Sequence, residues 1–295
     1  MPGTPRPTPA IAELLRAAGT MAGKSYFRRL LYITDLPLPE SLTSLRGAGR
    51  KKLVRVVTDG SKKSSRDADV ATITIPTYDL SRPEKLRLAL LGGLAHDLLS
   101  VGNLALALVA QQPRRWPDAL MVTQVGAGLG EEALTHGTNL ELGRPEVVEA
   151  VLQLAVAVGA EGWEGHPVGA LFVLGDAAAV MQHSRQLGLN PFYGYSERER
   201  NLLDPAVREA VRAFATLDGA IIIRDDGVVM AAGRYLEIHE GVSVPLGLGA
   251  RHMAAAGITA ATGSTSFAVS QTSGVVRVFR GGKQSLQFNP ARRRI

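Results

Sequence analysis

The chain has 295 residues, of which 45% are hydrophobic and 20% charged, and it contains no cysteine. This composition is typical of a globular protein long enough for two domains. The lack of cysteine excludes disulfides, thiol nucleophiles and cysteine-ligated zinc, and it agrees with a cytoplasmic location. The most apolar uncharged run, 98–113, contains Ser, Asn and Gln and is too short and too polar to span a bilayer, so we expect no membrane partner.

The net charge of +6 is unevenly distributed along the chain. Residues 1–66 carry 13 lysines and arginines against 4 acidic residues, whereas residues 67–295 carry 20 against 23. The basic stretch 46–66 is compatible with nucleic-acid binding, or with an ordinary solvated surface. No aromatic residues alternate with these charges, so nucleic acid is the less favoured partner.

The first part of the chain predicts a leader followed by an α/β domain. Residues 1–24 begin with four prolines in nine positions and are expected to form a flexible leader. Residues 25–162 are expected to form the α/β domain, because short β-branched runs alternate with leucine-rich helical patterns. The predicted strands are 51–60, 69–76 and 118–126, and the predicted helices are 82–111 and 144–162. This alternation favours a largely parallel sheet.

A glycine-rich stretch at 159–165 is the predicted boundary to a second domain. Residues 163–288 mix short strands with helices, which predicts an α+β domain with a mixed sheet. One helix is expected to begin after Asp204, a good N-cap residue, with Pro205 at its first position. Residues 289–295 form a basic tail.

The stretch LDGAIII places Asp218 directly before an apolar strand. A carboxylate at a strand end can bind a hard divalent cation, and the small residues Gly219 and Ala220 leave room for a ligand beside the backbone. The alternative is an aspartate that only turns the chain, since Asp-Gly pairs are common in turns.

The stretch LGLGARHMAAAGIT places Arg251 and His252 where a glycine-containing loop enters a predicted helix. A helix N-terminus attracts anions, and arginine matches the geometry of phosphate oxygens. These features favour a phosphate ligand, although a surface Arg-His pair beside packing alanines is equally compatible. The stretch VSQTSG places further hydroxyls, including Ser270, at a strand end, where they either contact a nucleotide or form a polar turn.

Five stretches occur in a fixed order within residues 168–282: GALFVLGD, NPFYGY, LDGAIII, GARHMAAAGIT and AVSQTSGVVRVFRGG. In this order they resemble the diadenylate cyclase domain, which is also found at the N-terminus of DNA-integrity scanning proteins. The Asp-Gly-Ala motif of that family corresponds to 218–220, its Gly-Thr-Arg-His-Arg motif to 249–253, and its Val-Ser-Glu strand end to 269–271. A cyclase domain behind an α/β domain resembles the archaeal-type arrangement, in which the leading domain is similar to the C-terminal domain of pyruvate kinase.

The resemblance implies that two ATP molecules are condensed into cyclic di-AMP with release of two pyrophosphates. It implies that Asp218 binds Mn²⁺ or Mg²⁺ and that Arg251 and His252 hold the triphosphate. The other expected nucleotide-binding residues are Leu217, Gly219, Ala220, Leu246, Gly249, Ala250, Met253, Ser270 and Gln271, with Leu217 and Leu246 beside the adenine. Because one chain contains one copy of these segments, we expect a homo-oligomer with facing sites.

The sequence departs from the family pattern at three positions: Ala250 replaces a threonine, Met253 replaces the second arginine, and Gln271 replaces a glutamate. Met253 removes a cation that would meet triphosphate oxygens. The departures at Met253 and Ala250 support an alternative hypothesis, a degenerate protein that binds ATP or cyclic di-AMP without turnover.

Overall fold

The structure is a computed structural model that describes residues 5–45, 52–58, 69–78, 80–112, 115–125, 144–237 and 249–290. The chain divides into two compact units, Met1–Ala127 and Gly128–Ile295. Both units combine helices with a sheet, as the sequence predicts.

The first unit contains a five-stranded sheet of order β3-β2-β1-β4-β5. Strands β1 to β4 are parallel, and β5 runs antiparallel at one edge. Its elements are α1 (Pro9–Ala22), β1 (Phe27–Ile33), a 3₁₀ helix (Glu40–Leu45), β2 (Leu53–Thr58), β3 (Ala71–Ile75), α2 (Arg82–Ala95), β4 (Leu104–Val109) and β5 (Ala119–Gln124). The largely parallel sheet is therefore confirmed, while its likeness to the pyruvate kinase domain stays a prediction.

Helix α1 occupies most of the segment that we expected to be a flexible leader. The side chain of Thr8 caps it by accepting a hydrogen bond from the Ile11 backbone N–H, and Pro9 stands at its first position, where proline is favoured. Leu15 and Ala18 are buried in the core of the first unit. Proline content alone misled here, because a proline at a helix start supports the helix.

The long helix expected over 82–111 is wrong in its second half. The helix ends at Ala95, Asp97 takes a left-handed backbone conformation, and Leu104–Val109 form the buried strand β4 beside β1. In a fully apolar run the hydrophobic pattern has no periodicity, so it does not distinguish a buried helix from a buried strand.

The second unit contains a seven-stranded mixed sheet of order β12-β11-β10-β6-β8-β9-β7. Only the β6–β8 pair is parallel within it. Its elements are α3 (Pro145–Glu161), β6 (Ala170–Leu174), α4 (Ala177–Gln182), β7 (Ser184–Gln186), α5 (Pro205–Phe214), β8 (Ala220–Ile223), β9 (Val229–Leu236), α6 (Ala250–Ala261), β10 (Thr265–Val269), β11 (Val276–Arg280) and β12 (Lys283–Phe288). The side chain of Asp204 caps α5 as predicted.

Helix α3, which we expected to close the first domain at residue 162, packs instead on the sheet of the second unit. It lies against β6, β10 and β11. An ion pair of 2.9 Å joins Glu161 at its end to Arg212 of α5. The apolar stripe of α3 reveals that one face is buried, but the sequence does not say which sheet covers it.

Helix α6 is seated on one face of the same sheet. Ala255, Ala256 and Ile258 share a core cluster with alternate residues of the strands, among them Leu171 and Ile222. This packing fixes the first turn of α6 beside the start of β8 and the end of β10.

Two other expectations lie largely outside the described residues: most of the basic stretch 46–66, and the tail from 291 onward. Within the described part of the chain, no helix is both long enough and apolar enough to cross a bilayer.

Gly159→Ala tests the packing of α3. A methyl group at Gly159 would lie 2.3 Å from the carbonyl oxygen of Gly274. Alanine normally favours a helix over glycine by about 1 kcal/mol, but this clash should reverse the sign and destabilise the protein by about 1–3 kcal/mol. Calorimetric melting is the measurement, with Gly188→Ala as control, because a methyl group there meets nothing within 4 Å. A Gly159→Ala variant as stable as wild type would contradict the placement of α3.

Candidate active site

A cleft of about 950 Å³ opens in the second unit. The first turn of α6, the start of β8 and the turn after β10 contribute to it. It is lined by Leu171, Leu187, Asp218, Gly219, Ala220, Arg234, Tyr235, Leu236, Gly249, Ala250, Arg251, His252, Ala254, Val269, Ser270, Gln271, Thr272, Ser273 and Arg277. The three stretches singled out in the sequence therefore meet in one cleft.

Asp218 stands at the edge of the cleft with 94% of its side chain exposed. The following Gly219 has a φ of +101°, and a methyl group there would lie 2.7 Å from the backbone nitrogen of Arg234. Ala220 is fully buried in the cluster beneath α6. The small size of these two residues is thus accounted for by packing against β9 and α6, although both also line the cleft.

Arg251 is the second residue of α6, whose N-cap, Gly249, has no side chain to cover the helix start. Its Nη2 lies 3.7 Å from Oδ1 of Asp218. A methyl group at Gly169 would approach Arg251 Nη1 to 2.8 Å, so the guanidinium lies directly over this glycine and beside Gln271. An exposed ion pair at this distance contributes little stability, which leaves both charges available to a ligand.

His252, the third residue of α6, is buried, with only 6% of its surface exposed. Its Nε2 lies 3.2 Å from Nη1 of Arg277. A guanidinium only donates hydrogen bonds, so Nε2 must accept, which assigns the ring proton to Nδ1. Burial lowers the pKa of His252, and the nearby charges of Arg277 and Arg251 lower it further. The imidazole is therefore neutral at pH 7.

Arg277 is a cleft residue that sequence reasoning missed. It lies on β11 opposite Ala268 of β10 and on the same face as Phe279, both of which belong to the core cluster beneath α6. The sequence did contain an indication of this position. Residues two apart in a strand face the same side of the sheet, so the run VRVFR places Arg277 on the same side as the apolar Phe279. A charged residue on the inward-facing side of a strand indicates a special environment.

The turn between β10 and β11 is closed by the backbone of Ser270. Its N–H donates to the carbonyl of Val275 at 2.9 Å, and its carbonyl accepts from Gly274 at 2.8 Å. The Ser270 hydroxyl also accepts a longer hydrogen bond, 3.3 Å, from the Ser273 backbone. The turn therefore holds Ser270 and Gln271 at the cleft on a defined backbone.

Arg234 contributes to the cleft wall but serves the fold. Its guanidinium donates to the Met181 carbonyl at 2.7 Å and to the Ser184 hydroxyl at 2.9 Å, which ties β9 to α4 and β7. Burial lowers its pKa. The next residue, Tyr235, carries the guanidinium of Arg185 over its ring at 4.7 Å.

Two of the described residues that were expected at the nucleotide are not among the cleft lining. Leu217 is 44% exposed, and neither it nor Met253 is among the lining residues. Leu246 lies outside the described residues. Helix α6 presents His252 and Ala254 to the cleft, and Met253 between them lies on a different part of the helix surface.

The cleft carries more positive than negative charge. Arg234, Arg251 and Arg277 line it, against Asp218 as the one acidic residue among the described lining. Elsewhere in this unit, Arg212 and Arg224 meet carboxylates at 2.7–2.9 Å. The loosely paired charges of the cleft therefore fit an anionic ligand.

No group of three or more His, Cys, Asp or Glu side chains that could hold a metal ion occurs among the described residues. A cation at this cleft would have Asp218 as its protein ligand and would need further oxygens from substrate and water. This is how Mg²⁺ is usually bound beside phosphates.

Comparison with known proteins identifies the family to which the second unit is similar. Residues 157–284 match the family model described as DisA bacterial checkpoint controller nucleotide-binding. The diadenylate cyclase of Haloferax volcanii is 45% identical over 147 residues, which cover 50% of this chain and 54% of that protein. The diadenylate cyclase of Methanocaldococcus jannaschii is 35% identical over 221 residues, which cover 73% of this chain and 71% of that protein.

Among solved structures, DacA from Staphylococcus aureus covers 48% of this chain and 87% of its own with a TM-score of 0.32 and 22% identity. A TM-score this low does not establish a shared fold. The match to the Methanocaldococcus protein extends over most of both chains, and the chain spans about half of the Haloferax protein. On the strength of the longer match, this chain belongs to the diadenylate cyclase family.

Proposed function

We propose that this protein is a diadenylate cyclase, a nucleotidyltransferase that converts two ATP molecules into cyclic di-AMP and two pyrophosphates. The observation that carries the proposal is the meeting of Asp218 and Arg251 in a cleft with excess positive charge. The cleft volume of about 950 Å³ is in the range of small-molecule sites. Two similar proteins, from Haloferax and Methanocaldococcus, are diadenylate cyclases.

The reaction balances as two equivalent displacements. The 3′-hydroxyl of each ATP attacks the α-phosphorus of the other, two P–O bonds form, and two bonds to pyrophosphate break while each hydroxyl releases a proton. Catalysis of this kind depends on positioning and on stabilising developing negative charge. Arg251 supplies fixed positive charge for the triphosphate and the departing pyrophosphate.

Asp218 is the residue that would hold Mn²⁺ or Mg²⁺. Its side chain is 94% exposed, which leaves it free to meet a cation that arrives on the nucleotide. When bound, such an ion would neutralise negative charge at the reacting phosphate. Asp218 also faces Arg251, so the carboxylate and the guanidinium are positioned to act on opposite charges of one metal–nucleotide complex.

His252 does not supply charge in this proposal. Its ring is neutral and its Nε2 lone pair is engaged by Arg277, so of the Arg-His pair only Arg251 acts as a cation. The remaining nucleotide contacts are assigned to Gly249, Ala250, Ser270 and Gln271, which line the cleft. The apolar wall for adenine comes from Leu171, Leu187 and Leu236 rather than from Leu217.

The proposal requires two chains, because each is assumed to hold one ATP. An exposed apolar stretch supports a facing partner: Leu189 is 97% exposed and Tyr193 is 88% exposed. Leu187, which begins this stretch, lines the cleft. A two-fold axis here would give each 3′-hydroxyl an equivalent α-phosphate.

Asp218→Asn should abolish formation of cyclic di-AMP. The substitution keeps the size of the side chain and removes the charge that a divalent cation needs. Chromatography of products after incubation with ATP and Mn²⁺ is the measurement, and Asp225→Asn, another exposed aspartate of the second unit, is the control. Wild-type turnover in Asp218→Asn would remove Asp218 from the mechanism. A wild-type protein that binds ATP without product would favour the degenerate sensor instead.

His252→Gln should change how stability depends on pH. Since the pKa of His252 is lowered on folding, the unfolded chain binds more protons below about pH 6.5. The contribution of the neutral His252 ring to the free energy of unfolding is therefore present above that pH and is lost as the pH falls. Glutamine cannot titrate, so the Tm of the wild type should fall relative to the Tm of the variant as the pH is lowered from 8 to 5.

The matched control for that measurement is His166→Gln, since His166 is exposed. A Tm difference for His252→Gln that is constant with pH would show that His252 is not buried as a neutral ring.

Activity per chain should fall on dilution in parallel with molecular mass from light scattering. Leu189→Glu should lower both at a given concentration and leave the Tm of dilute, monomeric samples unchanged, because the side chain is 97% exposed in the single chain. A strictly monomeric sample with an undiminished rate per chain would overturn the facing arrangement.

A further inference from the structure

The motif that the sequence resembles has a second arginine where this chain has Met253, so the first turn of α6 carries Arg251 as its cation. Met253 is also absent from the described cleft lining. A further cation reaches the cleft from the sheet, since Arg277 of β11 lines it beside His252.

The guanidinium of Arg277 is held on two sides. Nη1 donates to Nε2 of the neutral His252 at 3.2 Å, and Nε donates to Oε1 of Gln287 on β12 at 3.0 Å. Nη2 has no hydrogen-bond partner among the residues that the structure describes. Two contacts fix the plane of the group, and one donor nitrogen remains for a ligand.

The charge of Arg277 is not balanced by the protein around it. Burial lowers the pKa of its guanidinium, and within the described residues no carboxylate lies within ion-pair distance of it. His252 accepts a hydrogen bond but carries no negative charge. A partly desolvated cation without a counter-ion is costly, and a phosphate oxygen would offset that cost.

We propose that Arg277 is a phosphate-binding residue that supplies positive charge to the cleft from β11, and that His252 is the positioning residue that orients it. This inference rests on the proposed function, because it takes the ligand to be the triphosphate of ATP. It gives the buried histidine a role other than phosphate contact, which its neutral state and its contact with Arg277 both support. The competing explanation is structural, with Arg277 only joining β11 to β12 through Gln287.

Binding of 3′-deoxy-ATP and 3′-deoxy-AMP by calorimetry in excess Mg²⁺ separates these explanations. Both compounds lack the attacking hydroxyl and therefore bind without reacting. Arg277→Gln keeps a donor for His252 but removes the charge. It should weaken 3′-deoxy-ATP about tenfold to a hundredfold, as expected for loss of one charge-assisted contact, and weaken 3′-deoxy-AMP less than threefold.

Arg280→Gln is the matched control, because Arg280 lies on the same strand and outside the described cleft lining. It should leave both affinities unchanged. Arg277→Lys keeps the charge and should retain most of the preference for the triphosphate, which provides the test if Arg277→Gln fails to fold.

The outcomes distinguish the inference from the function on which it rests. Wild-type protein that neither binds 3′-deoxy-ATP nor makes cyclic di-AMP overturns the proposed function. An active wild type whose Arg277→Gln variant binds 3′-deoxy-ATP unchanged overturns the inference alone. Equal losses for the two nucleotides, or loss of the triphosphate preference in Arg277→Lys, would assign Arg277 to the fold and also overturn it.

Discussion

The hydrogen bond between His252 and Arg277 joins the first turn of α6 to strand β11, and the arrangement of the cleft depends on it. It requires a neutral imidazole, because a protonated ring cannot accept from a guanidinium. Burial supplies that condition by lowering the pKa of His252. The position of α6 on the sheet also fixes Arg251, the residue before His252, 3.7 Å from Asp218, which lies just before β8. One neutral acceptor thus links α6, which carries Arg251, to the strand that carries Arg277.

Two of the cleft arginines, Arg251 and Arg277, differ from Arg224 in how their charge is balanced. Arg224 is held between two carboxylates, each at 2.7 Å, and serves the surface around the β8–β9 hairpin. Arg251 has only a contact of 3.7 Å to Asp218, and Arg277 has a neutral partner. Strong internal pairing would have to be broken before an anion could bind. Weak pairing keeps the positive charge available at the cost of some stability, which is the usual relation between a binding site and its fold.

The backbone beneath the cleft explains residue choices that a ligand alone does not. Gly219 is required because β9 passes within 2.7 Å of the position where a Cβ would lie. Gly169 leaves space for the guanidinium of Arg251. Small residues near a proposed nucleotide site are easily assigned to ligand contact, but here the close approach of protein atoms is sufficient to require them.

Local features were predictable from the sequence because the residues that create them are neighbours along the chain. The Asp204 cap and the strand after Asp218 follow from short-range patterns, as does the helix through Ala254, and the ordered motifs led to the family. Tertiary structure decided the rest. An apolar stripe does not reveal which sheet will cover α3, and an apolar run without a period does not separate the strand Leu104–Val109 from a buried helix. Arg277 became part of the site only through strand pairing and the seating of α6, because its contact with His252 spans 25 residues of sequence. Such long-range contacts form where packing brings distant side chains together, and the types and spacing of the residues alone do not specify them.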